Sequence, residues 1–205
     1  MSRTRTIEFV FDFASPNAYL AGKPLQEIAT RSGAVVQLLP CLLGGIFKLT
    51  GNQSPMAAFA QVKGKLDYEA LETRRFIAKH QLHAFKLNPH FPVNTLLIMR
   101  AFIAARRSGV ADAYAAAVAA AMWENGQKMD EPSVVEKVLR DAGLDAPKLL
   151  AMTQEADIKA ELMANTEAAV KRGVFGIPTF FVKGEMFFGK ERLAQLEEYL
   201  AGGAG

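Results

Sequence analysis

Three short segments carry residues whose types and spacing suit chemistry on a bound anion or thiol. The first is Ser15-Pro16-Asn17-Ala18. Ser15 ends an apolar run and precedes a helical one, so it is placed to cap a helix, with Pro16 in the first turn, where no backbone donor is needed. A helix N-terminus carries unpaired N–H groups and about half a positive charge, a natural seat for an anion. A serine there either caps the helix or donates to the thiolate of a bound thiol, lowering its pKa; local sequence leaves both roles open. The second segment is Gly176-Ile177-Pro178-Thr179. Proline at a strand start is tolerated. The Ile177–Pro178 bond is either trans, merely opening the strand, or cis, turning the Ile177 carbonyl and amide outward toward an extended peptide ligand. The third is Gly189-Lys190-Glu191-Arg192, which opens the last helix. Its first turn is either a solvated charged surface or a seat for a carboxylate, with Lys190 or Arg192 adding charge.

Other chemistries are poorly served. The single cysteine, Cys41, excludes an internal disulfide and a thiolate-cluster metal site. It follows a buried strand and suits the core better than nucleophilic attack. His80, His83 and His90 form no metal-ligand pattern with carboxylates, so no metal is expected. There is no Gly-x-Gly-x-x-Gly run and no P-loop. Lys plus Arg number 24 against 21 Asp plus Glu, a net charge of +3 spread over a mixed-sign chain. Nucleic-acid binding by charge needs a basic stripe or arm, and none is present. The uncharged stretches from Ser32 to Phe47 and from Leu49 to Val62 are broken by Gly, Pro and polar residues, so no membrane span is expected. The N-terminus lacks an apolar h-region, and a reducing cytoplasm is the expected compartment.

The elements that must hold these segments follow from hydrophobic periodicity. The 205 residues are 50% hydrophobic and 22% charged, enough to bury a full core. Ile7 to Phe13 alternates as a strand. A helix follows from Pro16 to Ser32-Gly33, with Pro24 expected to kink or break it. Val35 to Leu39 reads as a second strand, giving a βαβ unit. Gly44-Gly45 and the run from Thr50 to Pro55 are loop signals. From Met56 to Gly173 the pattern is helical, with breaks at Gly64, at the double proline of Asn88 to Pro92, at Ser108-Gly109 and at Gly143. The last of these helices is expected to run from Pro147 toward Arg172. Strand signals return at Pro178 to Val182 and Glu185 to Phe188, joined by Lys183-Gly184, a two-residue hairpin signal. Lys190 to Leu200 is an amphipathic helix. The expected fold class is α/β: a thioredoxin-like domain, residues 1–48 and 173–205, split by an all-helical insertion at 49–172.

The stretches Asp12-Phe-Ala-Ser-Pro-Asn-Ala-Tyr-Leu-Ala21, Thr50-Gly-Asn-Gln-Ser-Pro55, Lys63-Gly64, Asn88-Pro-His-Phe-Pro-Val-Asn-Thr95, Gly176-Ile-Pro-Thr-Phe-Phe-Val182 and Phe188-Gly189 run in one order along nearly the whole chain. Together they resemble the 2-hydroxychromene-2-carboxylate isomerases and their kappa-class glutathione transferase relatives, of the DsbA-like thioredoxin branch. Asn88 to Thr95 bring the likeness closer to the isomerases. In a thioredoxin-type fold Ser15 stands where a nucleophilic cysteine would be, and without sulfur it shuttles no disulfide. The resemblance implies glutathione as cofactor, with Ser15 catalytic through the glutathione thiolate. It implies that Ile177, beside a cis Pro178, pairs with the cysteinyl backbone. Asn52 and Lys63 approach the glycine end, and Lys190 and Glu191 the γ-glutamyl end, where relatives often have a small or amide residue followed by Asp. Phe91 and Asn94 are expected as walls of an aromatic substrate pocket. The implied reaction interconverts 2-hydroxychromene-2-carboxylate and trans-o-hydroxybenzylidenepyruvate, a small aromatic carboxylate substrate, and relatives suggest a homodimer. A kappa-like transferase or peroxidase shares the thiol site. A non-catalytic thioredoxin-fold protein holding peptides on the cis-proline edge would need neither Ser15 nor glutathione.

Overall fold

A computed structural model describes residues 5–202. The ends of the expected split domain, 1–4 and 203–205, lie outside the described residues. The chain begins with β1 (Arg5–Phe11), α1 (Pro16–Ser32) and β2 (Ala34–Pro40). A helical stretch follows: α2 (Leu43–Thr50), α3 (Pro55–Ala58), α4 (Lys65–His80), α5 (Leu96–Arg107), α6 (Ala111–Trp123), α7 (Pro132–Asp141), α8 (Ala146–Met152) and α9 (Ala156–Lys171). The chain closes with β3 (Thr179–Val182), β4 (Glu185–Phe188), a 3₁₀ turn (Lys190–Arg192) and α10 (Leu193–Gly202).

The strands form one sheet in the order β2-β1-β3-β4. β1 and β2 are parallel, in register from Arg5 opposite Ala34 to Phe11 opposite Pro40. β3 runs antiparallel to β1, from Ile7 opposite Val182 to Val10 opposite Thr179. The expected pairing of the first strand with the strand after Pro178 therefore holds. β1 is the buried centre: Ile7, Phe9, Val10 and Phe11 are all in the core. The rings of Phe9 and Phe180 lie 5.0 Å apart, and Phe11 meets Phe102 of α5 edge-on at 5.0 Å. α1 packs on β2 and against α10, while α5 and α9 also pack on β2. One hydrophobic cluster runs from the sheet through α5, α6, α7 and α9. Among the described residues no helix is long and apolar enough to cross a membrane.

Four expectations about elements are corrected. α1 runs through Pro24 without a break. A helix-interior proline costs about 3 kcal/mol, but Leu20 and Ala21 before it and Leu25, Ile28 and Ala29 after it are buried. At about 1.5–3 kcal/mol for each large side chain, that burial outweighs the penalty. Gly44-Gly45 lies inside α2, not in a loop; Ile46 is buried and the helix ends on Gly51 at φ 71°. The expected domain boundary at 48/49 thus falls within a helix. The single helix expected from Pro147 to Arg172 is two, α8 and α9. Thr153 turns its hydroxyl onto the Leu150 carbonyl at 2.6 Å, and Glu155 is extended before α9 begins. Finally, the turn at Lys190 is 3₁₀, with α-helix starting only at Leu193.

The hairpin between β3 and β4 follows its sequence signal. Lys183 and Gly184 both have positive φ, 52° and 90°, as a two-residue turn of the primed kind requires. Asparagine tolerates this region better than lysine. Lys183→Asn is therefore expected to raise Tm by about 2 °C, measured by thermal unfolding.

Candidate functional site

Ser15 is the N-cap of α1, with extended backbone (φ −93°, ψ 112°) and only 3% of its surface exposed. Its Oγ accepts from the Ala18 N–H at 3.2 Å. Its hydroxyl donates to the Ile177 carbonyl at 3.1 Å, joining residues 162 positions apart. The Ile177–Pro178 bond is cis. The Pro178 carbonyl in turn accepts from the Gly189 N–H at 2.9 Å. A continuous path therefore leads from the start of α1, across the cis proline, to the turn that opens the last helix. Pro16 has no N–H and that of Ala18 is taken by Ser15, which leaves that of Asn17 as the first-turn donor. This arrangement brings Ser15, Ile177 and Pro178 together.

Asp12, three residues before Ser15, was not singled out by sequence reasoning. It is 1% exposed. Its Oδ1 accepts from the Thr95 hydroxyl at 2.6 Å and the Ala14 N–H at 2.9 Å, and its Oδ2 from the Leu43 N–H at 2.8 Å. One carboxylate thus ties the loop bearing Ser15 to the starts of α2 and α5. Burial holds this carboxyl above its ordinary value, opposed by the bonds from Thr95, Ala14 and Leu43. Only the aspartate itself is visible in the sequence; its partners at 43 and 95 come from folding.

The other expected residues fare differently. Asn52 reaches the cis-proline loop: its amide donates to the Phe175 carbonyl at 2.7 Å, and its Oδ1 accepts from the Gln53 N–H. Lys63 stands exposed in the turn before α4. Lys190 is not in a solvated first turn. It is 3% exposed, its ammonium pairs with Glu191 and lies 5.4 Å from the Phe76 ring centre of α4. Lysine needs such a partner to be buried. Its ammonium is thereby committed within the protein, while the Glu191 carboxylate stays largely exposed. Cys41 is buried, donates to the Asn165 carbonyl at 3.5 Å, and burial, then the charge of Asp12, push its thiol up to about 12. That suits a core residue.

A cavity of about 600 Å³ opens at Ser15 and runs between α1 and α6. Phe9, Phe11 and Leu38 of the sheet, Tyr19, Gly22 and Lys23 of α1, and Ala115, Ala119 and Trp123 of α6 help to line it. Phe91 and Asn94 are not among the residues that line this cavity. The Phe91 ring packs at 6.2 Å from Trp123, and the Asn94 side chain accepts from the Leu96 N–H at 3.0 Å, at the start of α5. The Trp123 indole is fixed by its bond to the Phe13 carbonyl at 3.0 Å. Helix packing, not local sequence, decides which aromatic rings face the space.

A sheet of this order, a cis proline facing the first helix N-terminus and a helical stretch between its halves define a class. The chain belongs to the DSBA-like thioredoxin domain family, whose model matches residues 6–201. Two kinds of enzyme are among the proteins it resembles. It is 30% identical to the 2-hydroxychromene-2-carboxylate isomerase of Sphingobium xenophagum over 199 residues, 96% of this chain and 98% of the relative. It is 27% identical to glutathione S-transferase kappa 1 of Homo sapiens, over 96% of this chain and 91% of that one. The solved structure of a 2-hydroxychromene-2-carboxylate isomerase superimposes with a TM-score of 0.79 at 29% identity, covering 96% and 94% of the two chains.

Proposed function

We propose that the chain is a glutathione-dependent isomerase that interconverts 2-hydroxychromene-2-carboxylate and trans-o-hydroxybenzylidenepyruvate, working in a reducing cytoplasm and as a homodimer. The observation that carries this reading is the meeting of Ser15 with cis-Pro178 at a helix N-terminus beside an apolar cavity, in a chain whose relatives are isomerases and glutathione transferases. A thiol tripeptide would find backbone groups of Ile177 for its middle, and Asn52 and Lys63 would serve its glycine end. The exposed carboxylate of Glu191, steadied by Lys190, suits its ammonium group. When bound, glutathione supplies a thiolate whose reversible addition to the conjugated alkene makes the double bond rotatable.

The chain's own residues prepare that chemistry. Ser15 has one hydroxyl hydrogen, and in the structure it points to the Ile177 carbonyl. It turns from that carbonyl to the sulfur, exchanging a neutral bond for a charge-assisted one. The N–H of Asn17 and the α1 dipole favour the same anion. The apolar floor of Phe9, Phe11 and Phe13 lowers the local polarity, which strengthens both effects. Kappa-class relatives support a second reading on the same site, conjugation of the thiol to electrophilic aryl halides, distinguished by assaying both reactions.

The cofactor is tested by titration calorimetry and thermal unfolding. Glutathione at about a hundredfold excess over its Kd is expected to stabilise the fold by about 2.7 kcal/mol, raising Tm by about 5–10 °C. Binding heat and a Tm shift that also appear with an unrelated tripeptide would favour the peptide-holding protein. Neither signal at millimolar glutathione would remove the cofactor from the reading.

A further inference from the structure

We infer that residues 51–80 form the face on which a second copy of this chain docks, the two α4 helices antiparallel, with Asp67 of one protomer against the partner's Arg74. The inference rests on the proposed homodimer and adds the surface that makes it. Not one residue from 51 to 80 is buried. α3 and α4 lie in this stretch, and neither has a buried side chain. Short helices in water draw most of their stability from packing an apolar face, and here that face is uncovered. Met56, Phe59, Val62, Leu66 and Tyr68 are each at least 36% exposed. A single exposed apolar side chain is ordinary; five within residues 56–68 make a patch of the kind that marks an interface. The tie of α4 to the rest of the chain lies near its end, where the Phe76 ring stands 5.4 Å from the buried ammonium of Lys190.

The charges of α4 select the occupant. Its first half, 65–72, carries Asp67, Glu69 and Glu72 against Lys65; its second, 73–80, carries Arg74, Arg75 and Lys79 and no carboxylate. Lys65 pairs with Glu69, and Arg75 with Glu72, within the helix. Asp67 and Arg74 enter none of the ion pairs among the described residues. Two turns apart, they share one helix face with Ala70 and Ala78, and all four are exposed. A copy turned about a two-fold axis beside Ala70 brings each Asp67 opposite the partner's Arg74, twice by symmetry. Alanine between the charges lets the helix axes approach to about 8 Å, the near end of the packing range. The macrodipole favours the same order of signs, but it gives no reason for the apolar side chains beside them. A membrane surface would call for a face of one positive sign. This face carries both signs, in the order that a copy of itself complements. Stable interfaces take roughly 20–30 residues a side, which this stretch supplies.

The test is the oligomeric state of charge-reversed chains, measured by sedimentation velocity and light scattering at micromolar concentration. Wild type is expected to be a dimer. Asp67→Arg and Arg74→Asp, each alone, set like charges opposite one another at both symmetric contacts and should weaken the dimer by about thirtyfold. Combined in one chain, the two changes restore opposite signs and should return the affinity to within about threefold of wild type. That recovery separates a pairing across the interface from mere damage to α4. Ala70→Trp puts a large ring at the centre of the face, where the single chain leaves the position exposed. It should abolish the dimer with the far-UV circular dichroism unchanged. A wild type that stays monomeric would remove both the homodimer and this interface. A dimer indifferent to all the variants would leave the homodimer standing and overturn this surface alone. Single reversals that weaken the dimer without recovery in the combined chain would overturn the pairing of Asp67 with the partner's Arg74.

Discussion

Replacing Ser15 by alanine is expected to lower isomerase activity at pH 7 about tenfold while leaving a folded protein. The structure sets both halves of that expectation. The cap bond to Ala18 and the bond to Ile177 are lost, at about 1 kcal/mol each, which a domain of ordinary stability survives. A charge-assisted hydrogen bond to the thiolate contributes roughly 1.5–3 kcal/mol, but the hydroxyl gives up its bond to Ile177 to make it, roughly 0.5–1.5 kcal/mol. The net is about one pKa unit on the bound thiol. A pH–rate profile at saturating glutathione checks it. The variant's activity should climb toward that of wild type as the pH rises and the thiol ionises unaided. Superimposable profiles would mean that Ser15 is a helix cap and nothing more.

Asp12→Ala should be the most destabilising single change near the site, by about 3–5 kcal/mol, lowering Tm by about 10 °C. Three donors, from Thr95, Ala14 and Leu43, lose their acceptor at a buried position. Asp12→Asn separates charge from shape. Burial raises the carboxyl above its ordinary 3.8 in the folded chain. The folded state then binds the proton more tightly than the unfolded one. This group's contribution to stability is therefore greatest below pH 3.8 and is lost as the pH rises through the raised folded value. Urea unfolding of wild type and Asp12→Asn across that interval checks the sign. The stability of wild type relative to the variant should fall with increasing pH; a rising difference would contradict the burial effect.

What could be read from the sequence was local. Ser15-Pro16 announces a helix start because the cap is made within three residues, and Lys183-Gly184 announces a hairpin because the turn needs only its own two dihedrals. The hub at Asp12 escaped because its partners lie 31 and 83 positions away. Lys190 read either as a solvated charge or as part of an anion seat, and its burial was hidden because Phe76, beside its ammonium, belongs to another helix. The cavity beside Ser15 was not legible either, because it is shaped by how α1 and α6 cross. Gly44-Gly45 read as a loop because glycine propensity is a weak signal that burial of Ile46 overrides.

The sheet order has a consequence for how the protein is made. β1 and β3 are neighbours at its centre, yet they are close to opposite ends of the chain. During synthesis β1 and β2 emerge first and can pair, but the other edge of β1 stays open until β3 arrives. At about 5–20 residues per second, the intervening chain takes roughly ten to thirty seconds. Through that interval a strand rich in phenylalanine presents unpaired backbone to whatever is nearby, a hazard that finished proteins cover. Ser15 likewise waits for Ile177. The ribosome therefore assembles the cis-proline edge last, and a chain released early carries the serine, the first helix and the cavity wall without the strand that Ser15 faces.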